Sequence, residues 1–158
     1  MRDDAGLRVW RIAGQTRRLV VCFSGVGRGG SRQPQPPEFQ RLSALVPRDH
    51  LLFIADPARS WLNRPGLIAE ITQAIEAEAA AVEAKQVCTL GHSLGGFSAL
   101  VIPAFTRVDV AVALSPQYAV DPAIVPTEAR WQDLRAAIPA FAIGNADDYV
   151  RPDPRYFV

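Results

Sequence analysis

The chain has 158 residues, a formal net charge of +1, 49% hydrophobic and 21% charged residues. That length predicts one domain able to bury a core, and the balanced charge excludes the basic footprint of a nucleic-acid binder. No run approaches the roughly 20 apolar residues of a membrane span, and the N-terminal Met1-Arg2-Asp3-Asp4 lacks an apolar signal core, so the expectation is a soluble cytoplasmic protein that meets neither nucleic acid nor membrane.

In chain order, Leu7–Ile12 alternates loosely and reads as a first edge strand, closed by a turn at Gly14-Gln15. Leu19-Val20-Val21-Cys22-Phe23 is a continuous apolar run, as in a strand buried on both faces. It ends in Ser24-Gly25-Val26-Gly27-Arg28-Gly29-Gly30, followed by the Pro-rich Gln33–Pro37. Gly25-x-Gly27 is a weak dinucleotide signal, because no helix follows at once, and no Gly-Lys-Ser/Thr completes a phosphate loop. A nucleotide-binding domain is therefore a poor reading. A short helix is predicted over Glu38–Val46 and a second buried strand over Leu51–Ala55. That strand ends in Asp56-Pro57 and the loop Arg59-Ser60-Trp61-Leu62-Asn63. Leu67, Ile71, Ile75, Ala79 and Val82 mark one face of a helix over Pro65–Lys85. A strand over 86–91 and a helix over 93–104 come next, then a strand over Val108–Leu114 ending in Ser115-Pro116-Gln117. The Pro-interrupted segment after it carries a short helix near Trp131–Ala137. A last strand, Ala140–Ile143, leads into Gly144-Asn145-Ala146-Asp147-Asp148.

Strands alternating with helices predict a mostly parallel sheet with helices on both faces, a three-layer α/β/α arrangement. Loops that follow strands open on one edge, where such folds place their chemistry. Cys22 and Cys88 lie inside apolar runs and read as buried thiols. Two cysteines and two histidines without ligand spacing give no metal site, and no cofactor is implied.

Gly91-His92-Ser93-Leu94-Gly95-Gly96 stands between the 86–91 strand and the following helix. A G-x-S-x-G pattern in that setting is a nucleophile elbow: the serine sits on a sharp turn, and the flanking glycines let strand and helix approach without a Cβ clash. The helix start directs free N–H groups at the site. On these residues, and on Gly144-Asn145-Ala146-Asp147-Asp148-Tyr149-Val150, the chain from about residue 7 onward resembles the α/β-hydrolase superfamily. The Ser60–Asn63 and Ser115–Gln117 pieces resemble, more loosely, hydrolase-fold proteins associated with bacterial surface polysaccharides.

The resemblance implies a serine hydrolase of a small-molecule ester or related acyl substrate. Ser93 is its nucleophile and Asp147 the triad acid, with Asp148 as the neighbouring alternative. The oxyanion hole falls to the Leu94 N–H and to Gly25 or Val26, where Ser24-Gly25 replaces the family's usual His-Gly. His92, Trp61 and Arg59 are candidate pocket residues, although a solvated arginine and a half-packed tryptophan are the plainer expectation. The Gly29–Pro37 loop and the 116–138 segment are expected to shape the pocket. The family places its histidine after the acid, and none follows Asp147. His50 belongs to the opposite end of its strand, and His92 adjoins the nucleophile. Two expectations follow: a serine hydrolase truncated at its C-terminal end, lacking the last strand and histidine loop, or a catalytically impaired hydrolase-fold binding protein. In the truncated case Ala140–Ile143 becomes an exposed edge open to pairing with another chain.

Overall fold

In the computed structural model, which describes residues 2–3, 6–27, 37–45 and 47–158, the apolar runs form one seven-stranded sheet. In chain order the strands are β1 (Arg2–Asp3), β2 (Arg8–Ile12), β3 (Arg18–Phe23), β4 (His50–Ala55), β5 (Gln86–His92), β6 (Val110–Leu114) and β7 (Arg155–Phe157). Across the sheet they stand β1-β2-β4-β3-β5-β6-β7. β4, β3, β5, β6 and β7 are parallel, and β2 and β1 add antiparallel pairings at one edge. The α-helices are α1 (Leu67–Ala81), α2 (Leu94–Val101) and α3 (Gln132–Ala136).

The direction of each crossover decides which face it covers. The connections β4→β5, β5→β6 and β6→β7 all step one way across the sheet, so right-handed crossovers put them on the same face. There Leu67, Ile71 and Ile75 of α1 and Phe97, Ala99 and Leu100 of α2 pack with Leu19, Val21 and Phe23 of β3 and Leu52 and Ile54 of β4. Among the parallel crossovers, β3→β4 alone steps back, and it crosses the other face. Cys22, Leu51 and Phe53 lie buried there under Phe39 and Leu42. The alternation along β3 and β4 between these two groups is the two-residue period of a sheet covered on both sides. The expected third layer is thus thin: among the described residues it holds a short 3-10 helix, Gln40–Ala44, with no buried residue. The helix predicted over Glu38–Val46 does not form as such, and Val46 lies outside the described residues.

Helix α1 is shorter than its apolar period predicted. Glu83 takes a left-handed conformation (φ 48°). The Ala84 N–H reaches back to the Ala79 carbonyl and the Glu83 N–H to Ala80, a Schellman closure that ends the helix before Lys85. At the other end Arg64 pairs with Glu70 in the first turn at 2.9 Å.

The strand predicted at Ala140–Ile143 is not one. The buried Asn63 side chain takes over the backbone of Ile143: its Oδ1 accepts from the Ile143 N–H (2.8 Å) and its Nδ2 donates to the Ile143 carbonyl (3.1 Å). The next residues pair antiparallel with the chain just after β6. Val120 N–H donates to Gly144, Ala146 N–H donates to Tyr118, and Ala119 bridges Asn145. The place beside β6 goes instead to β7, in register Val110↔Arg155, Ala111↔Tyr156 and Val112↔Phe157. Apolar content alone could not choose between these two segments; the Asn63 side chain does.

Candidate active site

The sheet order locates a crevice. β3 and β5 are neighbours, but the chain leaves β3 across one face and β5 across the other, which is the topological switch point where open α/β sheets bind ligands. The loops that meet there are Ser24–Gly27, after β3, and His92–Leu94, after β5. The loop expected to supply an oxyanion donor and the serine expected as nucleophile therefore arrive side by side.

Ser93 itself has φ 57° and ψ −118°, a backbone conformation that a residue with a Cβ rarely adopts. Its N–H donates to the Leu114 carbonyl at the end of β6, and its carbonyl accepts from Phe97 in the first turn of α2, both at 3.0 Å. Every residue of α2 is buried, while Ser93 is half-buried and His92 exposed. The serine is pinned at both ends by backbone bonds and stands at the surface of a buried unit.

The glycines make this turn sterically feasible. A Cβ on Gly91 would stand 2.0 Å from the Gly95 carbonyl oxygen, and one on Gly95 would stand 2.2 Å from that of Phe23. Gly96 faces the Pro116 ring, 3.1 Å from a Cβ position. Leu94, Gly95 and Gly96 open α2, so their N–H groups precede the first full helical hydrogen bond and lie at its positive end.

On the β3 side, Gly25 lies against the elbow: a Cβ there would be 3.1 Å from the His92 carbonyl oxygen. The Gly25 N–H donates to Glu38 Oε1 at 3.1 Å. The Ser24 hydroxyl is buried without a hydrogen-bond partner among the described residues. The Val26 carbonyl accepts from Arg59 Nε at 2.8 Å.

Arg59 and Trp61 are the plainest departure from expectation. Neither is a solvated or half-packed side chain: Arg59 is 4% and Trp61 0% exposed. Arg59 also donates to the Pro57 carbonyl, and burial pulls its guanidinium below the ordinary arginine range, opposed by the nearby Asp56 carboxylate. Trp61 Nε1 donates to Gln117 Oε1 at 2.8 Å. Asp56 accepts from the N–H groups of Ala58 and Ser60 and from the Ser60 hydroxyl, so it caps this loop. Arg59, Trp61 and Leu62 all have positive φ. The loop is thus a strained, hydrogen-bonded bracket. It ties together the loop after β3 through Val26, the loop after β6 through Gln117 and the 143–146 segment through Asn63.

Asp147 is exposed in the 3-10 turn Asp147–Tyr149, which precedes β7 rather than following a strand. Its Oδ2 accepts from the Tyr118 hydroxyl at 3.2 Å, whereas Asp148 exchanges bonds with Asn145 through its own N–H and Oδ2. The hydrogen bond from Tyr118 to Asp147 raises the phenol above its ordinary range, with the Asp147 charge adding to it. The contact therefore favours protonated Tyr118, and its contribution is lost as pH rises beyond the ordinary phenol range of about 10. Asp147→Asn is expected to lower that phenol's pKa, read as tyrosinate absorbance against pH with Tyr118→Phe as the blank. An unchanged titration would show that the two side chains do not meet.

His50 Nδ1 accepts from the Gly14 N–H at the amino end of β4, the edge opposite Ser93. Burial pushes the Cys22 thiol up to about 12 and raises Cys88 as well, so neither offers a thiolate near neutrality. Among the described residues no cluster of His, Cys, Asp and Glu could hold a metal ion, and no helix is long and apolar enough to cross a membrane. The expected pocket contribution of Gly29–Pro37 falls largely on residues 28–36, outside the described residues. Sequence reasoning missed Glu38, which carries no motif. Ser115, in the Ser115–Gln117 loop read from the sequence, follows β6 as Ser93 follows β5 and has φ 44°.

The fold is α/β with a mostly parallel sheet. No family model matches the chain, and no curated protein does. Among solved structures it is similar to a chain of the glycosylation-associated Gap123 complex from Streptococcus agalactiae, at 20% identity and a TM-score of 0.53 over 65% of this chain. The chain corresponds to only 20% of the length of that one, and at this identity the likeness extends to the fold alone. It is also similar to AqDC, described for recognition and ring-cleavage of the Pseudomonas quinolone signal, at 14% identity and a TM-score of 0.44 over 82% of this chain and 53% of that one; a superposition that loose carries no argument.

Proposed function

We propose that this chain carries the nucleophile and oxyanion elements of a serine hydrolase of α/β-hydrolase type acting on an ester or related acyl substrate. The observation that carries the reading is Ser93 at φ 57° and ψ −118° between β5 and α2, a strained position maintained by the close approach of Gly91 and Gly95. Backbone strain of this kind is costly and persists where the surroundings enforce it, most often at functional sites. Ser93 Oγ attacks the acyl carbonyl as its proton passes to a general base. The carbonyl oxygen, now negative, is received by the Leu94 N–H and by the Gly25 or Val26 N–H. Collapse releases the alcohol with that proton and leaves an acyl-serine, which water hydrolyses. Asp147 is the acid in this reading.

One observation favours the second reading, a hydrolase fold that binds an acyl ligand without efficient turnover. Of the two histidines, His50 lies at the opposite edge of the sheet and His92 is exposed on the residue beside the nucleophile. Without a base, an oxyanion hole and binding still accelerate acyl transfer by about 10³–10⁴-fold over water. The experiment is labelling with a fluorophosphonate, followed by mass mapping. A single adduct on Ser93, absent in Ser93→Ala, is the expected result. No adduct on the folded wild-type chain would overturn the hydrolase reading and leave the binding one.

A further inference from the structure

We propose that the Gly25 N–H, rather than that of Val26, is the second donor of the oxyanion hole and that Glu38 is its built-in plug, its carboxylate occupying that N–H. The inference rests on the reading of Ser93 as nucleophile. It is carried by two contacts. Glu38 Oε1 accepts from the Gly25 N–H at 3.1 Å. The Cβ position of Gly25 lies 3.1 Å from the His92 carbonyl oxygen and 3.2 Å from the same Glu38 oxygen. The carboxylate therefore sits in the crevice between the loops after β3 and β5, beside the peptide that leads into Ser93.

A carboxylate oxygen bonded to a backbone N–H is chemically what the tetrahedral oxyanion would be: a negative oxygen on the same donor. The two cannot share it at full strength. Substrate must displace Glu38 before the hole can stabilise the transition state. Until then the fixed negative charge opposes the negative charge that develops on the acyl oxygen.

The element that carries Glu38 suits a part that moves aside. It belongs to the β3→β4 crossover, the thin layer of the sheet. Phe39, next in the chain, is a bulky residue held at φ 65°, a conformation that costs energy for a side chain of its size. Its anchorage is the packing of Phe39 and Leu42 on Cys22, Leu51 and Phe53. Withdrawing the Glu38 side chain leaves the elbow, whose bonds run to β6 and α2, in place.

The test compares the rate of fluorophosphonate labelling of Ser93 in the wild-type chain, Glu38→Ala and Glu38→Gln, with exchange of the Gly25 amide proton followed by NMR. Displacing one charge-assisted hydrogen bond is worth on the order of tenfold. Glu38→Ala should label about ten times faster. Glu38→Gln, which keeps a neutral acceptor, should fall between, and the Gly25 amide should lose protection in the alanine variant. Glu38→Gln is also the variant to rely on if Glu38→Ala does not fold. Labelling of the wild-type chain that is not accelerated by either substitution would overturn the plug while leaving the Ser93 reading intact. Unchanged Gly25 protection would overturn it as well. Absence of labelling in all three folded chains would overturn the serine-hydrolase reading itself, and the plug with it.

Discussion

Gly95→Ala is expected to destabilise the fold by about 3 kcal/mol, a large share of the roughly 5–15 kcal/mol that holds a domain together. In an open helix the same change would help, because alanine exceeds glycine in helix propensity by about 1 kcal/mol. Here the added Cβ would stand 2.2 Å from the Phe23 oxygen and 2.8 Å from its carbonyl carbon. Both atoms are backbone, so no rotamer change relieves the clash. α2 must move off β3, and that movement separates the Ser93 elbow from the loop that carries Gly25 and Val26. Gly66→Ala is the comparison. Gly66 has φ 78°, but the nearest atom to a Cβ there is Glu70 Oε1 at 3.9 Å, so only the left-handed backbone is penalised, by about 1–2 kcal/mol. Denaturant unfolding of the two variants separates steric exclusion from strain. Equal losses would show that α2 and β3 leave room for a Cβ between them.

Trp61→Ala is expected to be the most damaging change outside the elbow, at about 3–5 kcal/mol, the usual range for emptying a buried aromatic site. Trp61 is 0% exposed and its Nε1 donates to Gln117, itself 7% exposed. The substitution leaves a cavity and a buried amide oxygen without its donor. Trp61→Phe keeps most of the volume and loses only the donor, so it should cost about 1–3 kcal/mol. A double-mutant cycle with Gln117→Ala isolates the hydrogen bond. Additive losses would mean that the bracket between the 59–62 loop and the loop after β6 has no energetic content. Because that bracket also holds Val26 through Arg59, Trp61→Ala should slow labelling of Ser93 in whatever fraction stays folded.

These two residues mark opposite cases of what a sequence discloses. The elbow is local: strand, turn, serine and helix lie within residues 86–101, and the spacing of the glycines at 91 and 95 around the serine is enough to announce a close approach. The bracket is not local. Arg59 and Trp61 look like side chains available to a ligand, because nothing in Ala58-Arg59-Ser60-Trp61-Leu62 reveals that their partners are Val26 and Gln117, which lie 33 and 56 residues away in the chain. Asp147 shows the same limit. Its motif is legible, yet the strand expected to carry it dissolves because Asn63 hydrogen-bonds Ile143 from 80 residues away.

Local residue patterns suffice for the parallel strands β3 to β6, the helices α1 and α2 and the serine at the turn, because apolar runs, the apolar period of α1 and paired glycines act over short stretches of chain. Contacts between distant segments decide which of two segments completes the sheet beside β6, that both long helices share one face, and that Arg59 and Trp61 are buried. They also place Glu38 on the Gly25 N–H. Each of these depends on a side chain meeting a backbone group or a core distant in sequence, and the energy of such a meeting is set by burial and geometry that no local pattern encodes.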